Sequence, residues 1–86
     1  MPTPEESARH ALAVMRERGL KAGETAMAGW FALPFNSGRW RACDFLPGMR
    51  YAYDQGWVIF RGRNFIIELT AEGEAEMHGR NSHPGR

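Results

Sequence analysis

Two short runs of strand-forming residues most constrain how this chain can fold. Residues 57–60 and 65–69 are both rich in β-branched and aromatic side chains, which favour strands. Between them, Gly62 and Asn64 are residue types that tolerate the positive φ angles of a tight turn. The sequence therefore predicts a two-stranded β-hairpin.

A helix is predicted immediately before this hairpin, over residues 47–55. Pro47 suits the first turn of a helix, and Gly56 is a typical residue at which a helix ends. Three residues are expected on the inward side of the helix: Met49, Ala52 and Tyr53. Three polar residues are expected to face outward: Arg50, Asp54 and Gln55.

The first helix carries the most complete local signals. Thr3 and Glu6 form a capping-box pattern with Pro4 at the first helical position, and Gly19-Leu20 is a typical Schellman end. These signals predict a helix over residues 4–18. Its apolar face recurs at helical spacing and consists of Ala8, Ala11, Leu12 and Met15.

The segment between the two helices is less regular. Residues 24–29 have a helical composition, whereas residues 30–33 form an apolar block that could be a helical turn or a short strand. Pro34 ends that block, and residues 39–43 could form a short helical segment. After the hairpin, Thr70 is expected to cap a last helix over residues 71–77, followed by a loose tail over residues 79–86. These elements predict one α+β domain over residues 1–78.

Length and composition agree with a single globular domain in a reducing compartment. The chain has 86 residues, of which 43% are hydrophobic and 12% aromatic, enough for one core. Its one cysteine, Cys43, excludes an intramolecular disulfide, and we expect it to be a buried small apolar residue. No apolar stretch approaches the ~20 residues that a bilayer requires, and the N-terminus begins with acidic charges. A soluble, cytoplasmic protein is expected.

The second half of the chain resembles the winged helix-turn-helix superfamily. The resemblance covers about residues 37–77, in which a helix reaches Gly56 and an apolar pair, a hairpin follows, and Leu69-Thr70 precedes Glu72 and Gly73. It implies a winged-helix-like α+β fold with an N-terminal helix, a helix-turn-helix, a β-hairpin wing and a short C-terminal helix. It also implies a small DNA-binding protein for transcription regulation, or an accessory factor.

The basic residues of the middle segment are all arginines, which suit phosphate and guanine contacts. On this fold, Arg50 and Gln55 are expected to contact bases, and Arg39 and Arg41 to hold phosphates. Arg61 and Arg63 on the wing are expected to contact the DNA backbone or the minor groove. The candidate nucleic-acid-binding residues are therefore Arg39, Arg41, Arg50, Gln55, Arg61 and Arg63. The alternative is that these are ordinary solvated charges on a helix face and a turn.

A second function class is a non-catalytic protein–protein interaction module on the same scaffold, which could form a homodimer. Four large aromatic residues lie close together in the sequence: Trp30, Phe31, Phe35 and Trp40. Aromatic side chains that stay exposed are common interface anchors. The alternative is that all four fill the core.

Catalysis and metal binding have little support in the sequence. His10 lies on the first predicted helix, and His78 and His83 lie around the expected tail, without the rigid setting that a catalytic triad demands. No phosphate-binding loop pattern and no set of three or four metal ligands is present. We therefore expect a protein that is not an enzyme and that needs no cofactor.

Overall fold

The computed structural model describes residues 3–62 and 66–79, which form a small α+β domain. The three helices are α1 (Pro4–Glu17), α2 (Phe45–Asp54) and α3 (Ala71–Met77). The three strands are β1 (Thr25–Ala26), β2 (Val58–Arg61) and β3 (Ile66–Leu69). Three short 3₁₀ turns lie between β1 and α2, at Ala28–Phe31, Pro34–Asn36 and Ala42–Asp44. The α+β class predicted from the sequence is confirmed, and the described part contains no helix long and apolar enough to span a membrane.

Both ends of α1 form as the sequence predicts. Thr3 Oγ1 accepts the Glu6 amide at 3.1 Å, and the Glu6 carboxylate accepts the Thr3 amide at 2.9 Å, which completes the capping box. At the other end, Gly19 has a φ of 74°, and the Leu20 amide donates to the Met15 carbonyl at 3.0 Å. This is the Schellman bond that returns the chain over the last turn.

Helix α2 begins two residues before the predicted start at Pro47. The turn at Ala42–Asp44 leads directly into the helix, and the Asp44 carboxylate accepts the Arg41 amide at 2.9 Å. Pro47 then occupies the first turn, where a missing amide costs no intrahelical hydrogen bond. The predicted end is confirmed, because Gly56 follows the helix with a φ of 79°.

Helices α1 and α2 pack against each other at very short distance. A Cβ atom on Gly48 would lie 2.6 Å from Ser7 Cβ, 2.8 Å from the Ser7 carbonyl carbon and 2.9 Å from the Ala8 nitrogen. Ser7 and Ala8 on α1, and Met49 and Ala52 on α2, are all buried. The backbones of the two helices therefore lie in close contact at Gly48.

The sheet has three antiparallel strands: β2 and β3 pair as the sequence predicts, and β1 is a third strand that the sequence did not predict. β3 is central: Thr25 and Ala26 of β1 pair with Glu68 and Ile67, and β2 pairs along the other side of β3. The helical composition of residues 24–29 is overridden because β3 supplies backbone partners for this segment. The Leu69 amide, for example, donates to the Glu24 carbonyl at 3.0 Å.

Strand β2 lies one residue later than the predicted range 57–60, and β3 matches the described part of the predicted range 65–69. Trp57 precedes β2 instead of belonging to it, because its amide closes the end of α2 by donating to the Ala52 carbonyl at 2.8 Å. Arg63 and Asn64 of the predicted turn, Phe65 at the predicted start of the second strand, and the predicted tail from residue 80 onward lie outside the described residues.

A junction around Thr70 ties α3 to the end of α2. The Thr70 hydroxyl accepts the Gly73 amide at 3.0 Å, as an N-cap should, and lies 2.9 Å from the Trp57 carbonyl oxygen. A Cβ on Gly73 would lie 2.1 Å from that same carbonyl oxygen. Thr70 and Gly73 of the sequence pattern thus meet at one close contact with the Trp57 carbonyl, and the predicted helix at Ala71–Met77 is confirmed.

The aromatic residues of the middle segment divide between the core and the surface. Phe31 and Phe35 are buried, whereas Trp30 and Trp40 are only half-buried. Cys43 is exposed, so the prediction of a buried cysteine was wrong. In the turn at Ala42–Asp44 the buried residue is Asp44, whose carboxylate caps the turn, and Cys43 points outward.

Candidate nucleic-acid interface and adjoining apolar surfaces

The outward face of α2 carries two of the predicted contact residues. The Arg50 side chain is 79% exposed, and its Nε lies 3.9 Å from Asp54 Oδ2. Gln55 follows the last helical residue and is exposed. Tyr53 was expected to face inward, but it is 49% exposed and its ring stacks on Phe60 at 5.5 Å between centroids. It shares the outward face because it lies three residues after Arg50 on a regular helix.

Arg39 is held against α1 and an aromatic cluster. Its guanidinium donates to Glu6 Oε1 at 2.8 Å and lies 5.1 Å from the centre of the Trp40 ring. The His10 ring stacks on Trp40 at 4.1 Å, and its Nε2 donates to the Pro34 carbonyl at 2.9 Å. His10 is therefore occupied structurally, as a packing partner of the segment that links β1 to α2.

The charge of Glu6 is stabilised from two directions. The hydrogen bond from the Thr3 amide is the larger cause and the Arg39 guanidinium the smaller, and together they hold the pKa of Glu6 below its ordinary value. Glu6 therefore remains ionised at neutral pH and anchors Arg39 to the start of α1.

The remaining predicted arginines lie on separate elements. Arg41 is exposed, and within the described residues its side chain forms no ion pair. Arg61, at the end of β2, forms an ion pair with Glu68 of the neighbouring strand β3, and its side chain is 62% exposed. Arg63 lies outside the described residues. Three of the candidate arginines are thus paired, each with a carboxylate on a different element: Arg39 with Glu6 on α1, Arg50 with Asp54 on α2 and Arg61 with Glu68 on β3.

Two glutamates of the acidic helix α3 bind residues that are not among the six candidates. Glu76 accepts Arg9 Nη1 at 2.9 Å, and Glu74 accepts the Ala22 amide at 3.2 Å. Desolvation opposes the charge of Arg9, but its bonds to Glu76 and Glu5 prevail and raise the pKa of the guanidinium. These two carboxylates therefore bind residues outside the set of six candidates.

An apolar groove of about 340 Å³ lies between the start of α2 and the sheet. Its lining combines the start of α2, the sheet face and the first 3₁₀ turn: Phe45, Leu46, Met49, Arg50, Phe60, Ile67 and Ala28. Leu46 is 65% exposed although it is a large apolar residue. We call this the α2 groove. The sequence reasoning missed it, although Leu46, Arg50 and Tyr53 recur at the spacing of one helix face.

A second apolar surface surrounds Leu33, which is 79% exposed. It adjoins Trp30, whose ring lies 4.7 Å from the Arg18 guanidinium carbon, and Pro34 at the start of the second 3₁₀ turn. We call Leu33, Trp30 and Pro34 the Leu33 patch. It is built by the 28–36 segment, whose conformation the sequence left open.

No group of three or more potential metal ligands occurs within residues 3–62 and 66–79. Comparison with family models, curated proteins and solved structures finds no match to this chain. Any function assigned to these surfaces must therefore be argued from the chain itself.

Proposed function

We propose that the chain is a winged-helix-like DNA-binding domain that acts as a small regulator or accessory factor. The observation that carries the proposal is the placement of α2. This helix packs on α1 at Gly48, presents Arg50 and Gln55 outward, and passes through Gly56 into the β2–β3 hairpin. A docking helix joined directly to a hairpin is the arrangement that the winged-helix resemblance implies.

Each arginine has a chemical role in this proposal. Arg50 and Gln55 reach base edges in the major groove, because guanidinium and amide groups match the acceptors and donors of guanine and adenine. Arg39 and Arg41 hold phosphates, and Arg61 and Arg63 contact the backbone at the wing. Phosphates can replace the carboxylates of Glu6, Asp54 and Glu68, since exposed ion pairs contribute only about 0–1 kcal/mol.

The position of α3 also supports the proposal. A helix rich in glutamate among the contact residues would repel DNA. Instead, Glu76 contacts Arg9 on α1 and Glu74 contacts the Ala22 amide, so these carboxylates are directed toward other parts of the domain.

The test is binding to duplex DNA across a salt series. Replacing Arg61 and Arg63 by alanine is expected to reduce the slope of log K against log salt by up to about 1.8, because each phosphate that an arginine neutralises adds about 0.9 to the slope. The matched control replaces Arg16 and Lys21 by alanine. This removes the same total charge, but at the last turn of α1 and just after it. An equal reduction in both double variants would contradict a role for the wing, and binding without salt dependence would contradict DNA binding.

The second candidate function, a protein–protein interaction module, is favoured by the Leu33 patch. Contiguous exposed apolar patches mark protein–protein interaction sites, and tryptophan is a favoured interface anchor. Sedimentation of the free protein at micromolar concentration tests this in its homodimeric form. A concentration-dependent dimer that Leu33→Ser abolishes supports it, whereas a monomer at every concentration contradicts it.

A further inference from the structure

We propose that the α2 groove binds a small apolar carboxylic acid, such as an aryl carboxylate, with Arg50 holding the carboxylate. This inference is independent of DNA binding, because the groove and its charge would bind such a ligand whether or not DNA is a partner. Three properties of the groove lead to it: its size, its lining and the state of Arg50.

The size of the groove favours a small molecule. Its volume of about 340 Å³ is near the lower end of the roughly 300–1,000 Å³ typical of ligand pockets. A folded protein partner ordinarily covers about 800 Å² on each side, far more than one short groove presents. The groove therefore matches a ligand with one or two rings better than it matches a protein surface.

The lining sets the chemistry of the ligand body. Phe45, Met49, Phe60 and Ile67 present aromatic and aliphatic atoms, and Leu46 lines the groove while remaining 65% exposed. An apolar ligand would remove this leucine from water, and the aromatic walls favour a flat ring. Among the described residues that line the groove, only Arg50 carries a charge.

Arg50 sets the chemistry of the ligand head. A guanidinium group binds a carboxylate through two parallel hydrogen bonds. Its present partner, Asp54, is 3.9 Å away, beyond hydrogen-bond distance. Asp54 also lies in the last turn of α2, where the helix dipole disfavours an anion, and an acid that follows its base is the weaker helical order. Arg50 is therefore poised to exchange Asp54 for a ligand carboxylate.

The experiment compares an acid with its neutral isostere. 2-Naphthoate and 2-naphthamide are titrated into the full chain while the methyl signals of Leu46, Met49 and Ile67 are followed by NMR. We expect both to shift these signals, with naphthoate binding more tightly. Arg50→Met should weaken naphthoate about fivefold to tenfold, the size of one charge-assisted interaction at a partly exposed site, and leave naphthamide unchanged.

Two further variants sharpen the test. Asp54→Asn removes the competing carboxylate and should tighten naphthoate binding about twofold, the effect of a weak i,i+4 pair. Arg16→Met makes the same charge change on α1, outside the groove, and should leave both affinities unchanged.

Several outcomes would overturn the proposal. Equal affinities for the acid and the amide, or an Arg50→Met variant that binds naphthoate as well as the parent chain, would remove Arg50 from the site. The absence of saturable shifts at millimolar ligand would remove the site itself. Shifts of the same methyl signals with protein concentration alone, together with a sedimenting dimer, would show that a second copy occupies the groove instead.

Discussion

Replacing Gly48 by alanine should separate α1 from α2 and destabilise the domain. The new methyl group would lie 2.6 Å from Ser7 Cβ, and reaching the 3.4 Å of ordinary contact requires a displacement of about 0.8 Å. Two of the three nearest atoms belong to the backbone of α1, so no side-chain rotation can relieve the clash. The two helices themselves must move apart.

The size of the effect follows from two opposing contributions. Alanine is a better helix former than glycine by about 1 kcal/mol, which favours the variant. Overpacking of a closely packed core costs about 3 kcal/mol at the upper end of its usual range, and a backbone clash belongs at that end. The expected net loss is about 2 kcal/mol, or a Tm lower by about 8–16 °C for a domain of this size.

The assay is urea unfolding followed by tryptophan fluorescence, with Gly29→Ala as the matched control. Gly29 lies in a 3₁₀ turn, and a Cβ there would meet nothing within 4 Å. Its replacement should leave stability unchanged or raise it by about 0.4–1 kcal/mol. A Gly48→Ala variant that is as stable as the parent chain, or that gains stability as Gly29→Ala does, would refute the close helix contact.

Three further predictions concern other parts of the domain. Gly73→Ala should cost about 3 kcal/mol in urea unfolding, because its Cβ would lie 2.1 Å from the Trp57 carbonyl oxygen; a stable variant would exclude this junction. The pKa of Glu6 is lower in the folded chain than in the unfolded one, so its stabilising contribution is present above the unfolded pKa and lost as pH falls through the folded pKa. Glu6→Gln keeps the capping hydrogen bond and removes the negative charge beside Arg39, so its stability deficit at neutral pH should shrink on acidification; a deficit independent of pH would contradict this. Cys43 is exposed and should react with a thiol reagent in the native state about as fast as in the unfolded state, whereas strong protection would place it in the core.

The features that the sequence predicted correctly are those fixed by neighbouring residues. The capping box at Thr3, the Schellman end at Gly19 and the helix stop at Gly56 each depend on contacts within one helical turn. The N-cap at Thr70 belongs to the same group. Local chemistry decides such elements, so a single sequence suffices to recognise them.

The features that the sequence missed depend on distant partners. Strand β1 has only two residues and forms because Glu68 and Ile67 pair with it from across the chain. The exposure of Cys43 is an exception, because the Asp44 carboxylate that caps its turn bonds to Arg41 only three residues away. The candidate site contains features of both kinds. The exposure of Arg50 and Gln55 could be predicted from helical spacing. The α2 groove could not, because its walls come from α2, the sheet and a 3₁₀ turn.

The central place of β3 in the sheet has a consequence for how the chain folds during synthesis. Among the described residues, β1 and β2 both pair with β3, and β3 is the last of the three strands to leave the ribosome. Helices α1 and α2 can meet earlier, but the backbone of β1 has no strand partner until Ile67 and Glu68 have been made. A nascent chain stopped before Ile66 would therefore expose two unpaired strands. At this stage of synthesis the chain is most open to aggregation or to chaperone binding.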